Sequence, residues 1–190
     1  IYDKDILIYC ISQIMAKLKN NEPVSPRVRI SSRDLLIFTN RGTSGRDYMA
    51  LIQGLDRLEG TRIRTNIRSG DKEQSDSFGL IDSSSIHRKK GLDGRLLWCE
   101  VTLSAWVFNA IRAQEVLTLH SDYFRLRKPI ERRVYEIARK HCGHQNEWKI
   151  GLEALYKKTG CQSPLKRFRQ MFRVLVDYNH LPEYRLIFDA

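Results

Sequence analysis

Hydrophobic residues recur along this chain with two periods, and the period changes near Gly60. Between Asp3 and Lys19, the residues Ile6, Leu7, Cys10, Ile14 and Leu18 fall at helical spacing. Asp3 is placed to cap that helix, and Asn20-Asn21-Glu22-Pro23 to end it. Val28 to Ile30 alternates with arginines as a short strand. Ser31, with Asp34 three residues on, opens a second helix through Phe38. A turn around Gly42 leads to Ser44, which caps a third helix from Arg46 to Leu58. Its predicted buried stripe is Met49, Ile52 and Leu55 with Tyr48.

Past Gly60 the alternation is strict, and Thr61 to Ile67 reads as a strand. Ser69-Gly70-Asp71 is a turn signal. Two further strands are predicted, Ser77 to His87 and Arg95 to Leu103, joined by the basic loop Lys89-Lys90-Gly91-Leu92-Asp93-Gly94. Three helices followed by a small antiparallel sheet is the order of a winged helix. Ser104 then caps a connecting helix through Ile111.

A similar order begins again further on. Leu126 to Cys142 is a predicted helix, with Pro129 in its first turn and Ile130, Val134, Ile137 and His141 on one face. Trp148 to Ile150 reads as a strand, and Leu152 to Thr159 as a short helix stopped by Gly160. Ser163 and Pro164 suit the N-cap and first position of a helix running to about Tyr178. Tyr184 to Phe188 reads as the first strand of a wing, with its return strand expected past Ala190. The expected fold is α+β and mainly helical: two tandem winged-helix domains, each of helices and a small antiparallel sheet. The first spans 1–111 and the second 125–190, with 112–124 as linker.

Helical spacing sorts the Ser163–Tyr178 segment onto two faces. Leu165, Phe168, Phe172, Leu175 and Val176 form an apolar stripe. Lys166, Arg169 and Arg173 share another face, with Gln170 beside them and Arg167 on the shoulder. With the preceding short helix and the turn Gly160-Cys161-Gln162-Ser163, this is a helix-turn-helix whose second helix is built for the major groove. Arg matches guanine O6 and N7, and Gln matches adenine. A solvated basic face is the plain alternative, yet no acidic residue occurs between Gln162 and Val176 to balance it.

Charge extends the case. The 190 residues carry 33 Lys and Arg against 22 Asp and Glu, a net +11, which points to a polyanionic partner. Residues 1–111 hold 17 basic and 13 acidic side chains, whereas 112–190 hold 16 and 9, so the second half is the better candidate for phosphate contact. Arg125, Arg127, Lys128, Arg132 and Arg133 surround the start of its first helix, where they either clamp phosphates or pair with Glu131 and Glu136. Arg88, Lys89 and Lys90 form either a wing tip on the DNA backbone or a charged, soluble hairpin. In the first domain Arg41, Thr43, Ser44 and Arg46 stand at the start of the third helix, but Asp47, Asp56 and Glu59 break its cationic face. That domain is therefore either an auxiliary DNA contact or a subunit-pairing module.

Several classes drop out. No apolar run approaches the ~20 residues needed to span a bilayer. The apolar stretch from Ile6 to Met15 follows acidic Asp3 and Asp5, which does not fit a signal peptide, and the cytoplasm is the expected location. Cysteines 10, 99, 142 and 161 form no CxxC pair and read as reduced thiols. None of histidines 87, 120, 141, 144 and 180 is paired across one apolar residue, as a metal-dependent nicking enzyme requires, and no Gly-Lys-Ser/Thr phosphate loop occurs. His141-Cys142-Gly143-His144 with Cys161 matches no standard zinc spacing. No enzyme, no metal and no cofactor is expected. Because the chain starts at Ile1, it reads as a fragment of a longer protein.

Four segments carry a resemblance. They are Asp3 to Tyr9 (DKDILIY), Gly91 to Glu100 (GLDGRLLWCE), Leu117 to Phe124 (LTLHSDYF) and Arg127 to Tyr135 (RKPIERRVY). In them the chain resembles the replication initiator protein A family of bacterial plasmids, and it is similar more distantly to other iteron-binding initiators with two winged-helix domains. The resemblance implies binding to repeated double-stranded sites at a plasmid origin and help in opening it for host proteins such as a helicase or initiator. It also implies a homodimer that represses its own gene, in equilibrium with a monomer active at the origin. A transcriptional repressor or partition adaptor without an initiation role would share the same DNA-binding features.

Overall fold

The chain divides into two units, Ile1–Val116 and Leu117–Ala190, in a computed structural model that describes residues 2–69, 72–88 and 96–189. The first unit runs α1 (Tyr2–Lys19), β1 (Arg27–Ser31), α2 (Ser32–Phe38), α3 (Gly45–Glu59), β2 (Arg62–Ser69), β3 (Lys72–Gly79), β4 (Ile81–Arg88), β5 (Leu96–Leu103) and α4 (Ala105–Arg112). Local chemistry sets the helix starts. The Ser31 hydroxyl accepts from the Asp34 amide and the Ser104 hydroxyl from the Val107 amide, while the Asp47 carboxylate accepts from the Ser44 amide at 3.0 Å.

Strands β1, β5 and β4 form an antiparallel sheet in that order, with Ile30 and Ile86 both opposite Cys99. Strands β2 and β3 form a separate hairpin. In chain order α1, β1, α2 and α3 precede the sheet strands β4 and β5, and the β2–β3 hairpin stands between α3 and β4. The segment from Ser77 to His87, expected as one strand, is divided between β3 and β4. A Cβ at Gly79 would stand 3.1 Å from the Ile81 carbonyl oxygen, so a glycine permits this tight passage between the two strands.

The core of this unit gathers Ile6, Cys10 and Ile14 from α1 and Leu35 and Leu36 from α2. Leu51, Leu55 and Leu58 from α3, Val101 and Leu103 from β5, and Ile111 from α4 complete it. The α3 stripe is shifted from the expected one: Leu51 and Leu58 are buried, Ile52 and Tyr48 only partly, and Met49 is half exposed. Burial pushes the Cys99 thiol up to about 11 and raises Cys10 further, so both are protonated core residues.

Two ion pairs tie α1 to the chain that follows it. Asp3, expected to cap α1, instead lies within its first turn and accepts from Arg57 Nε and Nη2 at 2.8 and 2.7 Å. Asp5 is buried and accepts from Arg41 Nη2 at 2.8 Å. Arg41 is thereby committed to the fold, which removes it from the candidate contacts of α3.

The second unit contains a 3-10 turn (Ser121–Arg125), α5 (Pro129–His141), α6 (Leu152–Thr159) and α7 (Leu165–Tyr178). Residues 112–124, expected as a linker, contribute to both units. Arg112 ends α4, while Tyr123 and Phe124 are buried with Leu126, Val134, Tyr135 and Ile137 in the second. No strand occurs among the described residues of this unit, so the expected sheet is found in the first unit only. Trp148–Ile150 and Tyr184–Phe188 lack a ladder partner there. Side-chain packing holds them instead: Trp148 stacks on His141 at 4.9 Å and Phe188 packs on Phe172 at 6.1 Å.

Arg41→Ala leaves the Asp5 carboxylate buried without its guanidinium, and is expected to cost about 3 kcal/mol in denaturant unfolding of the chain. The Arg57 guanidinium holds the Asp3 carboxyl below the ordinary range. A lowered pKa stabilises at neutral pH, and the contribution is lost as pH falls through the folded-state value. Asp3→Asn should therefore cost about 0.5 kcal/mol near pH 7, the pair being partly exposed, with the difference vanishing in acid.

Candidate nucleic-acid interface

A short helix, a tight turn and an amphipathic helix make the site. Helix α6 stops at Gly160, whose φ of 69° and ψ of 22° are left-handed and favour glycine. Inside the turn, Gln162 Nε2 donates to the Gly160 carbonyl at 3.1 Å, and Tyr156 Oη donates to the Ser163 carbonyl at 2.9 Å. The tyrosine bond fixes how the chain leaves α6 and starts α7. The N-cap of α7 is Pro164 rather than Ser163, and no side chain caps it. Ser163 thus contributes a backbone acceptor to the turn instead of a capping hydroxyl.

The stripe Phe168, Phe172 and Leu175 of α7 is buried, with Leu165 and Val176 partly so. At 100° per residue, Lys166, Arg169, Gln170 and Arg173 then share the outward side, and all four are exposed. Arg167 falls on a different line, with Met171, Val174 and Tyr178. Those three residues border a groove of about 210 Å³ whose other walls include Ile130, Glu131 and His180. Among the described residues no ion pair engages Lys166, Arg167, Arg169 or Arg173. Repulsion along the cationic stripe, added to the positive end of the helix, is left for an outside anion to relieve.

The arginines around the start of α5 do not form one cluster. Arg132 is buried, donates from Nε to the Leu126 carbonyl at 2.8 Å and lies 5.0 Å over the Tyr123 ring. Its guanidinium ties the 3-10 turn to α5, which corrects its reading as a phosphate clamp. Arg133 donates from Nε and Nη2 to the Lys158 carbonyl, at 3.2 and 3.0 Å, so it caps the end of α6 and pairs with Glu136. Arg125 pairs with Asp122 at 3.2 Å, and Lys128 with the buried Glu131 at 3.5 Å. Arg127 is exposed and has no ion pair among the described residues.

In the first unit Arg46 is exposed near the start of α3, and Arg88 is exposed at the end of β4. Lys89 and Lys90 lie outside the described residues. Among the described residues no group of three or more His, Cys, Asp or Glu is placed to hold a metal ion. His141 has Lys158 Nζ 3.4 Å from its Nε2, and Cys142 Sγ donates to the Gln145 carbonyl. No described helix is long and apolar enough to cross a membrane.

Some contacts around this site have no counterpart in the helical pattern. Tyr135 Oη accepts from the His120 amide at 2.8 Å and donates to Glu183 Oε2 at 3.0 Å, with its hydroxyl pushed up to about 12, chiefly by burial. His180 Nε2 lies 3.3 Å from Glu131. Each spans 15 or more residues, beyond the reach of local periodicity.

Comparison with known proteins agrees with this architecture. The model of the family described as replication initiator protein A matches residues 1–186. A "Putative replication protein" of Wigglesworthia glossinidia brevipalpis is 44% identical over 188 residues, which are 98% of this chain and 68% of that protein. The chain belongs to the replication initiator protein A family. Two crystal structures of domains 2 and 3 of RctB share its fold. One has a TM-score of 0.67 at 12% identity, covering 93% of this chain and 69% of that one. The other has a TM-score of 0.61 at 13% identity, covering 95% and 70%.

Arg132→Ala is expected to lower the stability of the chain by about 3 kcal/mol, since it unbinds a buried carbonyl and empties the space over Tyr123. Arg127→Ala should change stability by no more than about 0.5 kcal/mol. Thermal melts of the two variants beside the unmodified chain check both.

Proposed function

We propose that this initiator binds repeated double-stranded sites at a plasmid origin, and that α7 reads them from the major groove. The observation that carries the proposal is the exposed stripe Lys166, Arg169, Gln170 and Arg173, free of ion pairs among the described residues, on the second helix of a helix-turn-helix. Arg169 and Arg173 supply forked donors for guanine, Gln170 a donor–acceptor pair for adenine, and Lys166 a mobile cation for phosphate. Arg127, Lys128 and Arg125 stand on the same unit as candidates for backbone contacts that set affinity and register.

In this reading the first unit is either an auxiliary DNA contact, through Arg46 and the basic run Arg88–Lys90, or a pairing module. A homodimer represses the protein's own gene, and the monomer occupies the origin and recruits a host helicase or initiator. The chain is a binding protein of the bacterial cytoplasm, not an enzyme, and takes no cofactor.

Selection of duplexes from a random-sequence pool should yield one short motif. On that motif Arg169→Ala is expected to lose about 1–3 kcal/mol of binding and to relax one base position. Equal loss on selected and random duplexes would reduce Arg169 to a phosphate contact. Local opening of a supercoiled plasmid carrying the repeats, with host proteins present, separates an initiator from a repressor or partition adaptor, which would bind without opening.

A further inference from the structure

Of the outward cations on α7, Arg173 alone meets an aromatic ring among the described residues: its guanidinium carbon lies 5.5 Å over the Phe188 ring. Phe188 is half-buried and packs on Phe172 at 6.1 Å, so the ring stands between the core of the second unit and the outward side of α7. The segment that carries it has no ladder partner among the described residues, yet it is fixed at two points. The Asn179 side-chain oxygen accepts from the Leu186 amide at 2.9 Å, and Tyr184 Oη donates to the Gly143 carbonyl at 3.1 Å. Asn179 ends α7 in the left-handed region, at φ 42° and ψ 51°, where asparagine is tolerated best after glycine. One residue thus stops the helix and latches the returning chain.

We propose that Phe188 is a positioning residue that sets the specificity of Arg173. The inference rests on α7 being the reading helix. Cation–π attraction to a ring restrains where a guanidinium can swing without using up its forked N–H donors, which match guanine O6 and N7. An arginine held this way gives up less rotamer freedom on pairing than one that sweeps solvent. Lys166 and Arg169, without such a contact, contribute with less directional preference.

Phe188→Leu keeps an apolar contact with Phe172 and removes the aromatic face, whereas Phe188→Tyr keeps the face. Asn179→Gly keeps the left-handed cap and removes the latch. Titrations use the duplex selected by the unmodified chain, a random duplex of equal length, and melts to confirm folding. Phe188→Leu and Asn179→Gly are expected to lose about 3- to 10-fold on the selected duplex only, with the salt dependence unchanged because no charge is removed. Phe188→Tyr should bind as the unmodified chain does, and Phe188→Leu should have no further effect once Arg173 is alanine. Unchanged discrimination in both Phe188→Leu and Asn179→Gly, equal loss on both duplexes, or a loss that persists without Arg173 overturns the role of Phe188. If Arg173→Ala itself keeps full discrimination, the part of the α7 reading that assigns Arg173 to a base falls as well.

Discussion

Removal of Phe168, Phe172 and Leu175 from water fixes the rotation of α7 about its own axis. Each such side chain contributes about 1.5–3 kcal/mol when fully buried, and at helical spacing all three can be buried only with one side of the helix inward. Lys166, Arg169, Gln170 and Arg173 are then outward by geometry, with no contribution from their own preferences. A quarter-turn rotation would bury cations and expose phenylalanines, at a far larger cost than any surface electrostatic effect could offset. The turn enforces the same result at the start of the helix, where Gly160 reverses the chain and Tyr156 holds Ser163.

The same accounting divides the other basic residues. Arg41 and Arg132 meet buried partners, and their desolvation is tolerable only because a carboxylate or carbonyl faces them. Arg133 satisfies a helix-end carbonyl that would otherwise be orphaned. A net charge of +11 therefore overstates the charge available to a polyanion, since part of it is used inside the units. What remains exposed and free of ion pairs among the described residues includes the α7 stripe, Arg127 and Arg46.

Much of this was legible in the sequence because it is local. Ser31, Ser44 and Ser104 announced helix starts, Gly160 a helix stop, and the spacing of Phe168 and Phe172 an amphipathic helix, and these stand within a residue or two. The sheet of the first unit was legible in its alternation, although the break at Gly79 depends on a close backbone approach that no pattern records. Strand signals at Trp148–Ile150 and Tyr184–Phe188 misled, because alternation reports a half-buried extended segment and not whether a neighbour completes its ladder. The burial of Arg132 was invisible for a related reason: its partners Leu126 and Tyr123 are chosen by the path of the preceding turn, not by helical spacing.

The proposed function rests on one physical claim, that α7 touches base edges in the major groove of duplex DNA. Guanine N7 lies in that groove and is blocked by methylation without breaking the base pair. Methylation interference on the duplex selected by this chain tests the claim directly. Methylation at one or more guanines of the motif is expected to abolish retention, and the effect at one position to disappear in Arg169→Ala. Retention indifferent to N7 methylation at every guanine would contradict it.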